Sequence, residues 1–96
     1  MIEKKVVIRN KAGIHCRPSG MIISAVEKYS GTEFKLIVET GTSSMQSILE
    51  LLSLGLQQGD EVLLQVKGND EENACAAIAA LLEKEFDFPQ KTEKTE

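Results

Sequence analysis

Apolar positions along this chain recur with two different periods, and the changes of period divide it into elements. Residues 2–9 (IEKKVVIR) mix alternation with β-branched residues, which predicts a strand with Ile2, Lys4, Val6 and Ile8 on one side. Asn10, Lys11, Ala12 and Gly13 break that pattern as a loop. Pro18 then suits the first turn of a helix, where its missing N–H costs nothing, and Ile22, Ala25, Val26 and Tyr29 recur on one helical face. Gly31 is the expected C-cap. Residues 33–39 (EFKLIVE) alternate as a second strand with Phe34, Leu36 and Val38 on one face, and residues 40–43 turn back as a short third strand.

Ser47 and Glu50 form an S-x-x-E capping box before LLSLG, which predicts a short helix from near Ser47 that stops before Gly55; Ser44 is a competing cap. Residues 61–67 alternate Val62, Leu64 and Val66 against Leu63, Gln65 and Lys67, a fourth strand with one buried face. Asn69 and Glu72 repeat the capping-box pattern, and Ala74, Ala77, Ile78, Leu81 and Leu82 mark one face of a last helix. The order β-α-β-β-α-β-α is an α+β pattern that buries most simply as a four-stranded, mainly antiparallel sheet with three helices on one face. Residues 1–88 are expected to form one domain. Residues 89–96 (PQKTEKTE), with no apolar side chain after the proline, are expected to be a disordered tail.

Composition narrows the function. Ninety-six residues, 42% hydrophobic and 27% charged, suffice for one core without staples, and a large enzyme with a deep cleft is excluded. One His and two Cys far apart make no metal-ligand set, and the two thiols are expected to stay reduced. No run of about 18 apolar residues spans a bilayer and the N-terminus lacks a signal-peptide pattern, so a cytoplasmic protein without membrane insertion is expected. Residues 1–20 carry Lys4, Lys5, Arg9, Lys11 and Arg17 against Glu3, a local +4 in a chain of net −4. That balance argues against direct nucleic-acid binding and suits an acidic protein surface or a phosphate.

His15 is the only histidine, and it stands with Cys16, Arg17 and Pro18 where the first helix begins. Free N–H groups and the positive dipole end of a helix start attract anions, and a guanidinium offers paired donors to phosphate oxygens. A neutral imidazole there is a competent phosphoryl acceptor. On spacing alone, a helix cap or a surface histidine fits the same residues.

The run Lys11-Ala12-Gly13-Ile14-His15-Cys16-Arg17-Pro18-Ser19 resembles the active-site signature of the HPr family, the histidine-containing phosphocarriers of the phosphoenolpyruvate-dependent phosphotransferase system. Residues 46–55 (QSILELLSLG), followed by Gly59, resemble the family's regulatory serine site and its helix. The resemblance spans about residues 2–86 and implies the family's open-faced sandwich.

It further implies a relay rather than an enzyme, with no cofactor and no metal: enzyme I phosphorylates His15 on Nδ1, and the group passes to EIIA domains in sugar transport. Arg17 would neutralise the phosphate, Pro18 would fix the helix start, and backbone N–H groups near Cys16 and Arg17 would hold the oxygens. Ser47 would be phosphorylated by HPr kinase/phosphorylase, in carbon catabolite regulation. Met45, Ile48, Leu49 and Leu52 would form the docking surface of a monomer. An alternative is a mainly regulatory HPr-like protein that acts through phospho-Ser47 on a partner such as a transcriptional regulator, signalling carbon or nitrogen status. Without the resemblance, Ser47 is a plain cap, and Met45 and Ile48 read as core. Cys16 departs from the small residue usual in the family, and either a small filler or an acidified thiol fits it.

Overall fold

The alternating strand positions place their apolar side chains on one side of a single sheet. The computed structural model describes residues 1–11, 13, 14 and 16–85, apart from the side chain of Cys16. His15, the expected phosphoryl acceptor, and residues 89–96, the expected tail, lie outside the described residues. Strands β1 (Ile2–Val7), β2 (Thr32–Val38), β3 (Gly41–Ser43) and β4 (Glu61–Gly68) lie in the order β1-β4-β2-β3, every neighbouring pair antiparallel. Val6, Phe34, Leu36, Val62, Leu64 and Val66 are buried, whereas Glu3, Lys5, Glu33, Lys35 and Lys67 are exposed.

Helices α1 (Cys16–Glu27), α2 (Ile48–Leu52) and α3 (Glu71–Glu83) complete the order β-α-β-β-α-β-α as an open-faced sandwich. α3 packs on β1 and β4, and α1 packs on α2 and α3. Ile22, Leu51, Ile78 and Leu82 are wholly buried between the layers, and each such side chain contributes about 1.5–3 kcal/mol relative to exposure.

Several boundaries differ from the sequence reading. β1 stops at Val7 because the chain beyond it pairs with a loop: Ile8 N–H donates to Asp60 C=O and Gly59 N–H to Ile8 C=O. Lys4, expected on the inward side, is exposed. α1 ends at Glu27, so Gly31 is not its C-cap; Lys28 and Tyr29 N–H tighten the last turn onto Ala25 and Val26 C=O. Gly31 serves the following turn at φ +83°, where a Cβ would press on the Asn69 side chain. Tyr29 therefore sits beyond α1 and meets the Phe34 ring edge-on, with centroids 6.2 Å apart. α3 is capped at Asp70 rather than Asn69, and the Glu71 carboxylate accepts Gly68 N–H at 3.1 Å.

Candidate functional site

Backbone hydrogen bonds fix the approach to α1. The Asn10 side chain is buried and its Nδ2 donates to Gly13 C=O at 2.7 Å, while Gly13 N–H returns to Asn10 C=O at 2.9 Å. Ile14 N–H donates to Leu56 C=O at 3.1 Å. Gly13 sits at φ +72°, and a Cβ there would overlap the Leu56 carbonyl oxygen, so close approach of two backbones requires glycine. Position 15 thus lies between a buried Ile14 clamped to a distant loop and the first residue of a twelve-residue helix.

Within the first turn of α1, Arg17 is exposed and Pro18 is wholly buried. Pro18 is the third helical residue, where an N–H would have no acceptor within the helix. Ser19 is also wholly buried, and its hydroxyl makes no hydrogen bond. The N–H groups of Cys16 and Arg17 belong to the first turn of α1, so an anion at this helix end meets backbone donors beside a guanidinium.

The second predicted site lies at α2. Ser47 is the N-cap, exposed, and its Oγ accepts Glu50 N–H at 3.4 Å. The capping box is only half made, because the Glu50 carboxylate turns away from Ser47. Its Oε1 instead accepts from Ser44 N–H at 2.8 Å, Ser44 Oγ at 2.9 Å and Ser43 Oγ at 3.0 Å. These bonds, those from Ser44 foremost, hold the Glu50 carboxyl below the usual carboxylate range. Ser44 is therefore a donor to Glu50 and not the helix cap.

The expected docking residues do not share one environment. Ile48 and Leu49 are 41% and 77% exposed, and Leu52 is half-buried. Met45 corrects the expectation: it is 0% exposed, plugged into the core at φ +60°, and offers no surface to a partner. Packing of α2 on α1 sets the Ile48 Cδ1 4.0 Å from the point where a Cβ on Gly20 would sit. Met21, 41% exposed and four residues after Arg17, adds an apolar side chain that the sequence reading passed over. Its position off the Ile22–Val26 face was the available signal.

Among the described residues no group of His, Cys, Asp and Glu is arranged to hold a metal, and no helix is long and apolar enough to cross a membrane. Cys75 is a free thiol whose pKa burial pushes up.

Comparison with known proteins gives this geometry a family. The family described as PTS HPr component phosphorylation site matches residues 2–84. Phosphocarrier protein HPr of Mycoplasma pneumoniae is 40% identical over 85 residues, covering 88% of this chain and 96% of that protein. HPr-like protein Crh of Halalkalibacterium halodurans is 33% identical over 86 residues, covering 88% and 100%. The crystal structure of a phosphocarrier protein HPr from Bacillus anthracis superposes with a TM-score of 0.80 over 85% of this chain and 96% of that one, at 23% identity, which shows the shared fold. By its match across nearly all of the described residues, this chain belongs to the HPr family of the phosphotransferase system.

Proposed function

We propose that the chain is a phosphocarrier that accepts a phosphoryl group from phospho-enzyme I on Nδ1 of His15 and passes it to EIIA-type acceptors. The observation that carries this reading is that α1 opens immediately after residue 15 in the sequence and carries the exposed Arg17 in its first turn. The P–N bond to His15 forms as the bond between phosphorus and the donor breaks, and transfer onward repeats the exchange in the opposite sense. The Cys16 and Arg17 amides and the Arg17 guanidinium hold the charge of the oxygens, and buried Pro18 keeps the turn in place. Ile48, Leu49 and Met21, with the half-buried Leu52, supply apolar contact beside the site for larger partners that carry the catalysis. Incubation with enzyme I and labelled phosphoenolpyruvate gives an acid-labile phosphate on the wild type and none on His15→Ala; label that persists in that variant overturns the reading.

A second, compatible function is regulation through Ser47, favoured by its exposed hydroxyl at the N-cap of α2. HPr kinase/phosphorylase and ATP give an acid-stable phosphate that Ser47→Ala lacks. A wild type that stays unlabelled removes this role.

A further inference from the structure

We infer that Glu50 is a positioning residue that transmits negative charge at Ser47 to the turn ending β3. The inference rests on the regulatory reading of Ser47 and deepens it. Glu50 touches two groups in opposite directions: its N–H donates to Ser47 Oγ, and its carboxylate gathers three bonds from Ser43 and Ser44. Those two serines begin a turn with a buried end. The β2–β3 ladder stops at the Leu36–Ser43 pair, and the next N–H but one, that of Met45, donates to Ser43 Oγ at 2.9 Å. Met45 holds a left-handed backbone conformation with its side chain wholly in the core. A non-glycine residue keeps such a conformation only when its surroundings enforce it. Here the enforcing chain of bonds runs from Met45 N–H to Ser43 Oγ and on to the Glu50 carboxylate.

A phosphate on Ser47 brings close to two negative charges to the residue whose N–H Ser47 caps and whose side chain is already an anion. The Glu50 carboxylate has somewhere to go. Glu50 and Ser44 line an open cleft of about 380 Å³ together with Glu33, Lys35 and Lys67, where two ammonium groups against one carboxylate leave a net positive charge for the displaced carboxylate. Its departure removes the acceptor shared by Ser43 and Ser44 and loosens the turn that seats Met45. Ile48 and Leu49 follow within four residues, so their presentation changes along with the charge.

The test uses the full ¹⁵N-labelled chain and the Ser44 amide proton, which a carboxylate acceptor moves downfield. Ser47→Asp and Ser47→Asn both retain a good cap and differ in one charge. The ratio of bonded to free Ser44 amide falls severalfold in S47D relative to S47N, as a like-charge interaction across water requires. Ile78 in α3 reports an unchanged fold. In a Glu50→Gln background, which keeps an acceptor oxygen without the charge, the S47D and S47N difference disappears. Equal Ser44 amide positions in S47D and S47N, or a difference that survives in E50Q, overturn the inference. The kinase assay on Ser47 stands apart, because the charge comparison needs no kinase.

Discussion

The starts of α1 and α2 are held by different kinds of bond. At α1 the preceding loop is fixed by backbone groups to a segment more than forty residues away, through Ile14 to Leu56 and Ile8 to Gly59 and Asp60, and is braced within itself by the buried Asn10 amide on Gly13. At α2 the fixing groups are side chains within eight residues of one another, Ser43, Ser44, Ser47 and Glu50, and all but Ser43 are exposed. Backbone clamps carry no net charge and do not respond to it. Side-chain bonds to a carboxylate do. The difference suits the proposed roles: a phosphoryl acceptor that would present one geometry to successive partners, and a serine whose modification would be felt.

The largest expected effect comes from breaking the α1 clamp. Gly13→Ala adds a methyl group that overlaps the Leu56 carbonyl and forces a side chain into the left-handed region. We expect a loss of about 2–4 kcal/mol in chemical denaturation, the sum of left-handed strain and a displaced buried hydrogen bond. Labelling by enzyme I should fall with it. A loss below about 0.5 kcal/mol, the range of an ordinary surface substitution, would show that the clamp is soft.

A smaller effect is expected at α2, and it depends on pH. Bonds from Ser44 and Ser43 depress the folded pKa of Glu50 from its ordinary 4.5. Its contribution is therefore complete above the unfolded value and is lost as pH falls through the folded one. Thermal unfolding of wild type and Glu50→Gln should differ most near neutrality and converge in acid. Curves that stay parallel down to the acid limit would detach the carboxylate from the turn. Glu71, lowered chiefly by the Gly68 N–H and then by the N-terminal amine 3.3 Å away, adds a second acid-sensitive contact elsewhere.

The same contrast separates what the sequence disclosed from what it hid. Period-two alternation through Phe34 to Leu36 and Val62 to Val66 exposed the strands, because a half-buried sheet imposes that period directly. Pro18 and the Ser47 cap likewise marked the starts of α1 and α2 through local geometry. The orientation of Glu50 was hidden, since S-x-x-E records only that a carboxylate is within reach and not that Ser43 and Ser44 offer it three donors. Met45 read as core from its own pattern and as a docking side chain only through the family resemblance; at positive φ it sits wholly in the core. The clamp before α1 was invisible because the partners of Ile8 and Ile14, at 56–60, are remote in sequence. Asp70 displaced Asn69 as cap, a shift of one residue that capping patterns do not resolve.

The least stability change, and the sharpest separation of docking from folding, is expected at Leu49. The side chain is 77% exposed, so Leu49→Asp removes little buried area and should alter stability by no more than about 0.5 kcal/mol. The position is also in the first turn of α2, where an acidic residue is favoured by the helix dipole, which offsets part of any loss. Docking is a different matter, because a carboxylate in an apolar contact must be desolvated by the partner, and a partner that attracts the basic N-terminal stretch would also repel it. Labelling of the variant by enzyme I at limiting protein should therefore slow severalfold while its unfolding curve overlays that of the wild type. Met45→Ala supplies the opposite signature: a loss of about 2–5 kcal/mol from an emptied core position with little change in labelling rate at temperatures where it is folded. If Leu49→Asp is labelled at the wild-type rate, contact with the phosphoryl donor lies elsewhere than on α2. The apolar exposure of Met21 on α1 then becomes the place to substitute next.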